Sequence, residues 1–104
     1  MKGAVAVEVR VDVATVDLRL DEALGRQVGT IELAFFCIDA RQRLVGQVWK
    51  KMDFKLTDET YRRLRAGGLT YSTEVVVKEP PRFVKVVVYD YRADRVGSAV
   101  VKMR

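Results

Sequence analysis

Trp49, Phe83, Val87 and Tyr89, with Lys51 and Lys85 beside them, suit one kind of chemistry: burial of aromatic and branched surface against another protein, with cations at the rim. All six occupy odd positions in two strand-like stretches, 44–56 and 83–90. If those stretches are adjacent strands, the six share a face with Val45. A second register stays open, in which a bulge near Lys50-Lys51 turns Trp49 inward as a core residue.

The residues of catalysis are sparse. No histidine is present, which removes His-based acid–base work, Ser-His triads and imidazole metal ligation together. Cys37 is the single cysteine, so an internal disulfide and a Cys-cluster metal site are excluded, and its place on a charge-free strand face reads as a small buried apolar residue. Glu8, Asp12, Asp17, Glu32 and Glu74 fall on outward strand positions as solvated charges rather than a hydrolytic pair. Gly67-Gly68 lacks the following Lys-Ser or Lys-Thr of a phosphate cradle and reads as a helix stop. The expectation is a non-enzymatic chain without cofactor, metal or small-molecule substrate.

The 19 Lys and Arg against 14 Asp and Glu leave +5, unevenly spread: residues 53–104 carry 11 basic and 7 acidic side chains, residues 1–52 carry 8 and 7. Arg62, Arg63, Arg65, Arg92 and Arg95 are the candidates for the alternative function, binding nucleic acid or another polyanion, but acidic residues are interleaved and no nucleic-acid motif accompanies them. The apolar runs 34–38 and 86–89 fall far short of the roughly 20 residues that span a bilayer.

The elements that must position these residues follow from parity. Positions 5–13 alternate apolar and charged, as do 16–20; a loop is expected over 21–29, where two glycines and several charges break the pattern. Ile31, Leu33, Phe35 and Cys37 form a dry face, and 39–43 make a hairpin turn into 44–56, whose even residues Leu44, Val48, Met52, Phe54 and Leu56 look inward. Thr57 before Asp58-Glu59, three arginines and Gly67-Gly68 frame one helix of about two turns, connecting over one end. Strands are expected at 69–78, 83–90, the most apolar and central, and 97–103, with Pro80-Pro81 outside the ladder. Asp39 and Asp90 each close a strand before an Arg and a Gly, reading as turn acceptors rather than calcium ligands. The fold class is all-β: one antiparallel sandwich domain of about seven strands, 1–104, with one short helix.

The run 56–61, Gly68-Leu69-Thr70-Tyr71, Val75-Val76-Val77, the Pro80-Pro81 turn, 84–90 and Arg95-Val96-Gly97-Ser98 resembles the C-terminal region of bacterial VWFA-related domain proteins, abundant in acidobacteria. The likeness covers the second half well and the first by strand pattern. One departure is Pro81-Arg82-Phe83, where the family has a Gly and a Tyr before the strand. The resemblance implies an immunoglobulin-like domain excised from a larger exported protein, an accessory role beside a von Willebrand factor A domain, a protein partner, and a periplasmic or extracellular location. Met1-Lys2-Gly3-Ala4 has a charge but no apolar stretch and cleavage site after it, so no signal peptide is expected in this chain, and any export signal would lie upstream in a longer parent protein.

Overall fold

A computed structural model describes residues 3–102. In chain order the elements are β1 (Gly3–Val11), a 3-10 turn (Val13–Thr15), β2 (Arg19–Asp21), β3 (Arg26–Ile38), β4 (Leu44–Leu56), α1 (Asp58–Gly67), β5 (Leu69–Val77), β6 (Phe83–Asp90) and β7 (Arg95–Lys102). Every strand pairing is antiparallel. The larger sheet runs β4-β3-β6-β7, with β2 also on β3; the smaller is the pair β1-β5. Immunoglobulin-like sandwiches set C′-C-F-G against A-B-E-D; here the second sheet is reduced to two strands. The all-β, seven-strand, two-sheet expectation is thus what the chain adopts. No described helix is long and apolar enough to cross a membrane.

Alternation builds the core. Ile31, Leu33, Phe35 and Cys37 on β3 are fully buried, and they meet Val84 and Val86 of β6, Phe54 of β4 and Val75 and Val77 of the opposite sheet. Phe35 reaches across to Tyr71 of β5, ring centroids 6.0 Å apart. Val5, Val7 and Val9 lie against this cluster half-buried, because β1 is the outer member of a two-stranded sheet.

Four expectations are corrected. First, 44–56 and 83–90 are not neighbours: β3 lies between β4 and β6 and pairs with both. β3 therefore holds the central place expected of 83–90 and 44–56 side by side, and its core aromatic is Phe35. Second, no bulge occurs at Lys50-Lys51, where pairing to Leu33 and Glu32 is continuous; the register shifts between Cys37 and Ile38, opposite the extra residue Val45. Parity inverts there, so Val45 is buried and Leu44 is exposed, the reverse of the expected assignment. Lys50 keeps inward parity yet reaches solvent, because β4 is an edge strand and the long side chain escapes around it. Third, 26–30 belong to β3, leaving only 22–25 as a turn, with Gly25 in the left-handed region at φ 64°. Gly29 answers to crowding: a Cβ there would lie 2.5 Å from Leu18 Cδ2 and 3.0 Å from the Asp17 carbonyl. Fourth, β7 begins at Arg95 and not at Gly97; the expected end at Met103 lies outside the described residues.

Thr57 caps α1 by accepting from the Thr60 amide, and the ten-residue helix, nearly three turns, ends at Gly68 with φ 79°. It packs against the 3-10 turn, β3 and β4 at one end of the sandwich. Its last carbonyls are held from outside: the guanidinium of Arg10 on β1 donates to the Gly67 carbonyl.

Asp39 shows how a turn acid acts here. One carboxylate oxygen accepts the amides of Arg41 and Arg43, both at 2.9 Å, and the other accepts Arg43 Nε at 2.9 Å. Arg43 also donates to Glu79 at 3.0 Å, tying the β3–β4 turn to the segment ahead of Pro80. The Arg43 amide, more than the charge of its side chain, holds the Asp39 carboxyl below the ordinary aspartate range. A carboxyl with a lowered native pKa contributes stability that is fully present above its unfolded value, about pH 4, and lost as pH falls through the native one. Thermal melts from pH 6 to pH 2 are expected to show Asp39→Asn with a flatter acid limb than the wild type; parallel limbs would contradict this.

Candidate functional site

Cross-strand pairs share a face, so the register composes the outer surface of the larger sheet row by row. Trp49, Ala34, Val87 and Ser98 form one row; Lys51, Glu32, Tyr89 and Val96 the next; Gln47, Phe36, Lys85 and Val100 the row on the other side; Phe83 stands opposite Ile38. Six sequence candidates, Trp49, Phe83, Val87, Tyr89, Lys51 and Lys85, are thereby on one face. Val45, grouped with them, is not: the bulge carries it into the core. The inward register for Trp49 is likewise corrected, since its side chain is on the surface at 58% exposure.

What sequence reasoning missed on this face is the contribution of β3. Ala34, Phe36 and Ile38 lie between the two halves of the patch, and Ala34 is almost wholly covered although it belongs to the outer surface. The signal was in the hairpin: a strand joined to 44–56 by five residues is its neighbour.

Geometry in the patch is specific. Phe36 meets Trp49 edge-to-face at 5.5 Å between centroids and 87° between planes, and Trp49 Nε1 donates to Gln47 Oε1 at 3.3 Å. Tyr89 and Tyr91 form a second edge-to-face pair at 4.8 Å. Lys51 Nζ stands 5.6 Å from the Tyr91 ring centroid, and the Tyr91 hydroxyl donates to Glu32 Oε1 at 3.3 Å. Arg82 lies 6.0 Å from the Phe83 ring centroid. The Tyr89 hydroxyl donates to Asp94 Oδ1 at 2.6 Å, which pushes its pKa up and keeps it a protonated donor. Trp49 is thus braced by one aromatic neighbour and one hydrogen bond while most of its surface meets water. This arrangement can bury apolar area and orient a partner; it positions no general acid or base against a nucleophile.

Three further candidates have less to offer. A cleft of about 380 Å³ opens between β1 and β7 over Val9, Val11, Ile31, Val86 and Val88, with Arg95 at its rim donating to the Thr15 carbonyl. It marks where the two-stranded sheet leaves the edge of the larger one uncovered. Cys37 is fully buried, and burial pushes its thiol pKa up, away from a thiolate nucleophile. Arg62, Arg63 and Arg65 are exposed on α1, and Arg92 is exposed in the β6–β7 turn, so the arginines do not share one element. No group of three or more potential metal ligands occurs among the described residues.

The class defined by this fold and surface is an all-β sandwich domain with an exposed aromatic sheet face. Comparison with protein-family models, with curated proteins and with solved structures finds no match to the chain in any of the three.

Proposed function

We propose that this domain is a non-enzymatic interaction module that docks a neighbouring domain or protein partner on the outer face of β4-β3-β6. The observation that carries the reading is Trp49, 58% exposed yet held by Phe36 and Gln47, on the edge strand of a face that continues across Ala34 to Val87 and Tyr89 and carries Lys51 and Lys85. Large aromatics kept rigid on a surface contribute strongly to protein docking, because their ordering entropy is already lost before the partner arrives. The resemblance to VWFA-related proteins supports a von Willebrand factor A domain as that partner, in an exported chain.

The only tryptophan of the chain reports directly on this surface. Titrating the purified protein with a separately produced A domain of that family is expected to give a saturable blue shift of Trp49 emission. Val87→Arg is expected to weaken the interaction at least about 30-fold, the scale of a hot-spot loss. An emission maximum that stays unchanged throughout the titration counts against the A domain as partner, and wild-type binding by Val87→Arg counts against the face.

A further inference from the structure

The sheet edges of this protein are not equally defended. On β4 the bulge at Val45, the inward-parity Lys50 and the flanking Lys51 and Lys55 all discourage another strand from adding on. β2 is three residues long, and β1 carries Glu8 and Arg10. β7 is different. Between Arg95 and Lys102 it reads Val-Gly-Ser-Ala-Val-Val, without charge or proline, and its pairing to β6 continues in register from Arg95 to Lys102 with no bulge. Its far edge has no partner strand among the described residues. Val96 and Val100 stand 67% and 61% exposed on the outer face.

The order of those residues selects the occupant. Val96-Gly97-Ser98-Ala99-Val100 has the same pattern read from either end, a valine, three small residues and a valine. A strand laid antiparallel against it about Ser98 therefore sets valine opposite valine twice. Twofold symmetry demands this self-complementarity, in which one patch serves both sides. We propose that a second copy of this chain pairs with β7, antiparallel and centred on Ser98, so that Val96 faces the partner's Val100 and two larger sheets join into one. Edge pairing of one strand covers less than the roughly 800 Å² a side of a standard interface, so the dimer is concentration-dependent. The inference rests on the β7 edge and stands apart from the docking reading of the Trp49 face.

Sedimentation velocity on the full 104-residue chain, up to about 1 mM, is expected to move from the 11.8 kDa monomer toward twice that mass. Val96→Lys/Val100→Lys and Val96→Glu/Val100→Glu each introduce like charges across the pair and are expected to raise the dissociation constant at least about 10-fold. Both positions are exposed, and each variant is expected to keep the wild-type far-UV circular dichroism spectrum. An equimolar mixture of the double-lysine and double-glutamate variants is expected to restore the dimer, because both cross-strand pairs then join a lysine of one copy to a glutamate of the other. A wild type that stays monomeric at every concentration overturns the proposal, as does a dimer that survives the double-lysine variant. A mixture that remains monomeric overturns the Ser98-centred register. Loss of association in Trp49→Ala but not in the double-lysine variant assigns self-association to the aromatic face instead and overturns the edge.

Discussion

Phe35→Ala is expected to lower the free energy of unfolding by about 3–5 kcal/mol, out of the roughly 5–15 kcal/mol that holds a domain of this size together. Phe35 is the largest fully buried side chain, set on the central strand between Val48 and Val86 in register, with its ring against Tyr71 of the other sheet. Truncation removes the transfer free energy of the ring and leaves a cavity that cannot close. The neighbours on both sides belong to extended strands whose backbones are fixed by ladder hydrogen bonds. Guanidinium titration is expected to show a much lower midpoint with an unchanged slope, so that the loss is one of stability and not of two-state behaviour. A loss below about 1 kcal/mol would mean that the two sheets are not held by the shared core described above.

That same residue marks where the sequence is informative and where it falls silent. Parity reports which side of a strand is dry, and on β3 it does so without error: Ile31, Leu33, Phe35 and Cys37 are all fully buried. Parity does not report which strand lies alongside. The pairing of 44–56 directly with 83–90 fails for that reason, although both strands have their odd residues on the outer face. Trp49, Val87, Tyr89, Lys51, Phe83 and Lys85 are therefore grouped correctly on one surface through an incorrect adjacency, which leaves out Ala34, Phe36 and Ile38. The bulge is misplaced by a similar ambiguity. Lys50 breaks the inward pattern of β4, and a bulge is one way to remove a charge from the core; an edge position is another, and nothing local distinguishes them. The true bulge at Val45 is imposed from a distance. Gly46, next to it, lies so close to β5 that a Cβ would sit 2.5 Å from the Val76 carbonyl oxygen, and Lys78 donates its amide to the Val45 carbonyl at 2.9 Å. Such a junction between sheets is set by long-range packing, and a single glycine in a strand is its only local trace.

Asp90→Ala is expected to cost about 2–3 kcal/mol, roughly 10–20 °C in melting temperature for a domain of this size, although the change removes only one small carboxylate. Asp90 is 6% exposed at the end of β6. Its Oδ1 accepts the amides of Arg92 and Ala93 at 3.2 and 3.3 Å, closing the turn into β7, and its Oδ2 accepts the Asp17 amide at 2.8 Å, fastening a segment 73 residues away. The corresponding acid in the other hairpin, Asp39, serves only its own turn and Arg43. Losing the Asp90 carboxylate leaves the part-buried Asp17 amide without an acceptor, and the strap that carries Val16 and Leu18 over the core loses its anchor. Asp90→Asn keeps one oxygen, enough for the turn or for Asp17 but not both, so an intermediate loss is expected. Hydrogen exchange separates this mechanism from a general loosening: the Asp17, Arg92 and Ala93 amides are expected to lose protection while those of Leu33 and Phe35 follow global unfolding. Retained protection at Asp17 would remove the clamp from the account. The turn that Asp90 closes also carries Tyr91 and Asp94, which brace Lys51 and Tyr89 on the outer face. A loosened turn therefore also disturbs the face proposed for docking, and the Asp90→Ala variant is expected to bind the A domain of the proposed pairing more weakly at temperatures where it remains fully folded.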